Sequence, residues 1–146
     1  MEPQESNERE AGGPDPDEGQ ILRFVVLRHE PGEASGDKSV HWDFLIETIA
    51  GAERLPTWRL AAWPGLTGSA FTVAAVRLPD HRRAYLDYEG EISGGRGRVI
   101  RVAAGKVTRL SGTSDRLEIL LLTGEKVWRV NGRAENVDGW EWSFTG

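Results

Sequence analysis

The 146-residue chain carries 18 Lys and Arg against 23 Asp and Glu, for a formal net charge of −5. It has no cysteine, which excludes disulfide frameworks, zinc–thiolate and iron–sulfur centres and a cysteine nucleophile. No apolar run approaches the roughly 20 residues of a bilayer-spanning helix, and the acidic N-terminus lacks the basic start and apolar stretch of a secretory signal, so a cytoplasmic protein without a membrane partner is expected.

The charge is uneven. Residues 1–20 hold seven acids and one base, a net of −6, and leave the rest of the chain at +1. With Met1 and Ala11 as its only apolar residues, this segment buries too little to offset its ordering entropy and reads as a disordered acidic tail. A solvated tail is the simpler interpretation, and an acidic arm screening a basic groove is the functional one. The remainder, 21–146, reads as one domain.

From Ile21 onward the pattern is that of short strands at spacings near ten residues. They are expected at 21–27, 41–47, 57–63, 71–78, 83–92, 97–103, 106–110, 116–122, 126–130 and 139–144, separated by Gly, Asp, Ser and Pro. In the second, Trp42, Phe44 and Ile46 point one way while His41, Asp43, Leu45 and Glu47 point the other. One helical turn is expected within 66–76, and tight reversals at Thr123-Gly124 and Asn131-Gly132. The fold class is therefore mainly β, a small antiparallel barrel or sandwich with little helix.

Three groups of residues bear on chemistry. His41 and Asp43 project from one strand face, and His29 lies across a polar, Gly-containing loop (30–39), so the three offer a facial N/O ligand set suited to a divalent ion such as Mn²⁺. A surface or hydrogen-bonded histidine is the plainer use of each. The run 80–90, taken as a strand, places His81, Arg83, Tyr85, Asp87 and Glu89 on one side, where a cation, an imidazole and a phenol can hold phosphate oxygens or simply form an exposed charged strand. SGGRGR (93–98) allows close backbone approach and offers Arg96 and Arg98 to a nucleic-acid backbone, or makes a hairpin with no ligand. Trp140 and Trp142 share a strand face and could stack bases, with core packing the default.

In this order, FVVLRH (24–29), HWDFLIE (41–47), the tryptophan of TWRLAAWP (57–64), AVRLPDHRRAYLDYEG (75–90), SGGRGRV (93–99) and LTGEK (122–126) resemble the 3′-phosphoesterase domain of bacterial DNA ligase D and its stand-alone relatives. The resemblance runs from about residue 22 to the C-terminus. It implies a small β-barrel whose metal, typically manganese, is held by His29, His41 and Asp43, with His81 contacting the scissile phosphate and Tyr85 beside it. It implies removal of a 3′-terminal ribonucleotide and then of the 3′-phosphate from DNA or RNA–DNA ends in repair, with ligase or polymerase activity supplied by a separate chain. Arg77, Arg83, Arg96 and Arg98 are the cations expected to meet the nucleic acid.

The chain departs from the family pattern at three cationic positions, which fall at Leu45, Val73 and Ala62. Those cations grip phosphate, so their loss bears on affinity and turnover more than on metal binding; Arg77, Arg82, Arg83, Arg96 and Arg98 are the candidates to compensate. Two alternatives follow: a module that docks on nucleic-acid ends without turnover, and an accessory domain that recruits a partner through its acidic tail.

Overall fold

The computed structural model describes residues 21–146. The expected tail at 1–20 lies outside the described residues. Nine strands run in order: β1 (Leu22–Glu30), β2 (His41–Ile46), β3 (Arg54–Leu60), β4 (Phe71–Arg82), β5 (Gly90–Glu91), β6 (Arg98–Gly112), β7 (Arg116–Thr123), β8 (Lys126–Ala134) and β9 (Gly139–Thr145). All pairings are antiparallel, in the spatial order β1-β2-β3-β4-β9-β8-β7-β6, and β6 returns to β1. Eight strands thus close a barrel and leave no free edge, while β5 is a two-residue addition to β6. Among the described residues there is no α-helix, and no helix long and apolar enough to cross a membrane.

Alternation along each strand divides the apolar residues into two cores. Phe24, Phe44, Trp58, Trp128, Trp142 and Phe144 come from strands all round the barrel, so they fill its interior. Phe44 meets Trp142 edge-on with ring centroids 5.2 Å apart, and Trp140 stacks on Trp142 at 6.0 Å. Both of these tryptophans are buried, so they serve packing and offer no platform to a base. Trp42, Phe44 and Ile46 join this core, as their alternation predicts.

The second core lies on the outside of the wall. Val25 and Leu27 of β1, Leu45 of β2, Leu55 of β3 and Val99 of β6 are covered by Leu86, Tyr85 and Ile92. These last three belong to a strap, residues 83–97, crossing the outer face of β1–β3. Here the structure corrects the expected 83–92 strand. β4 ends at Arg82, Arg83–Leu86 form a 3₁₀ turn, and only Gly90–Glu91 pair as strand. His81, Arg83, Tyr85, Asp87 and Glu89 therefore do not share one strand face.

Other expectations change for identifiable reasons. No helical turn forms at 66–76, where β4 begins at Phe71. The runs 97–103 and 106–110 are one strand, because Gly105 lets β6 approach β7; a Cβ there would sit 2.2 Å from the Leu122 carbonyl oxygen. Asn131-Gly132 is interior to β8, where Gly132 leaves room for the Trp142 ring, 2.6 Å from a hypothetical Cβ. The reversal expected at 123–124 forms one residue later, at Gly124-Glu125, with Gly124 at φ +60°, while Thr123 ends β7 opposite Lys126.

Candidate metal centre and anion trough

The outer wall of β1–β3 carries the candidate ligands because their strand parity opposes that of the barrel core. His29 and His41 are direct cross-strand partners, so the hairpin register brings the imidazoles together without any fold-back of the 30–39 loop. His41 Nε2 lies 2.8 Å from His29 Nδ1. Asp43, two residues along β2, is 4 % exposed. Donor atoms of His29, His41 and Asp43 all lie within 4.8 Å of one another.

The donor set fits a divalent cation on three grounds. The 2.8 Å contact is a hydrogen bond in which His41 Nε2 donates to His29 Nδ1. The same separation is close to the edge, about 3 Å, of a coordination octahedron with bonds of about 2.1 Å, so a cation would take the place of the shared proton. His29 Nε2 donates to the Arg96 carbonyl at 2.9 Å, which fixes the tautomer and leaves the Nδ1 lone pair directed at the shared point. Asp43 Oδ1 is buried and has no hydrogen-bond partner, a costly state for a carboxylate unless something else satisfies it. Burial pushes the His41 imidazole below its usual 6.5, against the pull of Asp43, and so holds it in the neutral form that ligates.

His29 and Asp43, but not His41, line a trough of about 340 Å³. His81, from the end of β4, donates from Nδ1 to the Pro79 carbonyl at 3.0 Å and turns Nε2 toward Asp43 Oδ2, 3.7 Å away. Burial lowers its pKa, but Asp43 and the Pro79 carbonyl outweigh this and raise it above 6.5, favouring the imidazolium; a cation held by Asp43 would oppose that shift. Tyr85 lines the trough with its ring centroid 5.9 Å from that of His81.

Of the four arginines expected to meet nucleic acid, only Arg96 lines the trough. Arg77 lies over Trp58 at 4.8 Å and donates to Asp80 Oδ1 at 3.0 Å. Arg83 is held by the fully buried carboxylate of Glu47, which also accepts from the backbone N–H groups of Arg23 and Gly51 at 3.0 and 2.9 Å. This clamp bolts the strap to the barrel wall. Arg98 sits beside Glu30, 3.9 Å away.

The glycine-rich loop is a backbone clasp. Gly97 has φ +100°, and a Cβ there would lie 1.9 Å from the Glu30 carbonyl oxygen. Gly32 is equally tight, with Gly95 O and Gly97 N at 2.4 Å from its hypothetical Cβ. Ala34 N–H donates to the Gly95 carbonyl at 2.8 Å, and the same loop delivers the Arg96 carbonyl to His29.

Arg82, one of the arginines expected to stand in for the missing cations, also lines the trough, as do Arg54 and Arg59, which the sequence alone did not single out. Arg59 is the direct partner of Asp43 across β2–β3, with Nε 3.7 Å from Oδ1. The signal was the alternation in Thr57-Trp58-Arg59-Leu60, which turns Trp58 and Leu60 inward and Arg59 out. Compared with known proteins, the chain matches no family model and no curated protein.

Proposed function

We propose that this protein is a divalent-metal-dependent phosphoesterase that processes 3′ ends of nucleic acid, with manganese the preferred ion and repair in the cytoplasm the setting. The carrying observation is the convergence of His29, His41 and Asp43 at one point, with His81 immediately beyond. A bound ion of this class supplies Lewis-acid stabilisation of charge on a phosphoryl oxygen.

The chain's own residues supply the rest. His29 and His41 present ring nitrogens 2.8 Å apart, the first oriented by the Arg96 carbonyl. In the hydrolytic step a water oxygen bonds phosphorus as the ester P–O bond breaks. His81, held through Nδ1–H on the Pro79 carbonyl with Nε2 3.7 Å from Asp43 Oδ2, lines the trough. There an Nε2 proton would pass to the departing oxygen and be replaced by the proton the water releases. Tyr85 borders that position and orients the phosphate through its hydroxyl. The clasped 93–97 loop and the Glu47–Arg83 clamp fix both sides of the trough.

A second reading, a module that binds ends without turnover, is favoured by Leu45 and Val73. Both stand where the resembled family places cations, and both are buried apolar side chains. Primers bearing a 3′-phosphate or a 3′-terminal ribonucleotide, incubated with Mn²⁺, separate the two. Processing by the wild type, lost in His41→Ala and His81→Ala, supports the enzyme. Metal-dependent binding of an unchanged primer supports the module, and an untouched, unbound primer removes both.

A further inference from the structure

We propose that Arg54, Arg59 and Arg82 form a phosphate cradle that takes over from the missing family cations and grips two successive phosphates of one strand. The inference rests on the phosphoesterase reading, because it deepens the same trough.

Three observations carry it. The Nε of Arg59 is buried with no hydrogen-bond partner and faces Asp43 Oδ1 as an ion pair at 3.7 Å, while the side chain as a whole is 37 % exposed. A guanidinium cannot shed its charge and carries five donors, so with Asp43 engaged by a cation a phosphoryl oxygen is the acceptor this fork fits. Arg54 and Arg82 are direct partners across β3–β4, an arrangement that places like charges side by side and costs stability unless an anion lies between them. Neither has a carboxylate partner among the described residues, and Arg54 makes only a 3.5 Å contact to the Asp80 carbonyl.

The register orders the two positions. Arg59 pairs with Asp43 beside the metal trio, and His81 pairs with Leu55. Arg82 and Arg54 occupy the rung next to His81, farther from Asp43. One phosphate therefore sits between Arg59 and His81, at the reacting end, and a second between Arg54 and Arg82. This favours a strand end carrying an internal phosphodiester over an isolated phosphate group.

The test measures binding of two probes to the Mn²⁺-loaded protein: inorganic phosphate and a short single-stranded oligonucleotide with a 3′-phosphate. Arg59→Gln is expected to weaken both at least tenfold. Arg54→Gln/Arg82→Gln is expected to weaken only the oligonucleotide, by tenfold or more, and to reduce its salt slope by about 0.7 for the one phosphate released. Binding is read at saturating Mn²⁺, the urea midpoint verifies folding, and Arg59→Lys, which keeps the charge but loses the fork, is expected to fall between wild type and Arg59→Gln.

Unchanged binding of both probes by Arg59→Gln overturns the cradle. So does an equal loss of both probes in the double variant, which would mean a single phosphate position. A wild type that binds in this pattern yet processes no primer removes the catalytic reading and leaves the cradle standing, whereas processing that survives both variants unchanged does the reverse.

Discussion

Replacing Gly97 by alanine tests whether the glycine-rich loop is a clasp for the metal centre. Gly97 pays twice for a side chain: its φ of +100° is strained for any L-residue, and the new Cβ overlaps the Glu30 carbonyl oxygen at 1.9 Å. The strain alone costs about 1 kcal/mol. Relieving the overlap means parting the loop from residues 30–34, which endangers three hydrogen bonds: Ala34 N–H to Gly95 O, Ile92 N–H to Gly97 O, and His29 Nε2 to Arg96 O. At about 1 kcal/mol each, with two or three lost, the total reaches roughly 3–4 kcal/mol. A domain of ordinary stability, about 5–15 kcal/mol, remains folded. Gly124 supplies the control, since its φ is +60° but a Cβ there meets nothing within 4 Å. In urea unfolding, Gly124→Ala should lose about 1 kcal/mol and Gly97→Ala about three times that. Because His29 loses the carbonyl that orients it, Mn²⁺ affinity should also fall about 10–100-fold in Gly97→Ala alone. If both variants lose the same stability and bind Mn²⁺ as the wild type does, the clasp has no such role.

Glu47 gives a pH prediction. Its burial raises the carboxyl pKa, but Arg83 and the two backbone donors more than reverse this and hold it below the usual 4.5. A carboxylate depressed on folding contributes stability above its unfolded value and loses it as pH falls through the folded one. The urea midpoint should therefore drop below about pH 4.5, and Glu47→Gln, costing about 1–3 kcal/mol at pH 7 with the half-exposed Arg83 taken into account, should flatten that limb. Restoring a family cation by Leu45→Arg should not restore grip on phosphate; Leu45 is fully buried beneath the strap, and an unpaired charge there should cost about 4 kcal/mol or more in thermal or urea unfolding. Because burial lowers the His41 pKa from its usual 6.5, protonation of His41 should erode Mn²⁺ affinity only in the acid range below that value, as read by comparing wild type with His41→Ala across pH 5–8.

Much of the barrel was legible because side-chain period dictates it. The alternation in 41–47 assigned Phe44 and Ile46 to the interior and His41 and Asp43 to the other side, and hairpin pairing did the rest. Two glycines misled for one physical reason: Gly105 and Gly132 look like breaks, yet each sits inside a strand where a neighbouring backbone or ring comes too close for a Cβ. The strap was misread as a strand because its fold is set by tertiary partners, namely the Glu47 carboxylate for Arg83 and the outer-wall pocket for Leu86. That same dependence explains why Arg83, expected at the ligand surface, is instead held by Glu47 where the strap begins. Arg54 and Arg59 are not legible as companions of Arg82 because their meeting depends on the β3 register with both β2 and β4, which no local pattern encodes.

The most direct measurement of the central claim is calorimetric titration of the full chain with Mn²⁺, repeated for His29→Ala, His41→Ala and Asp43→Asn. One ion per chain in the wild type, with affinity lost at least a hundredfold in each variant while the fold persists, is the predicted result. No saturable binding by the wild type, or binding untouched by all three substitutions, would contradict it.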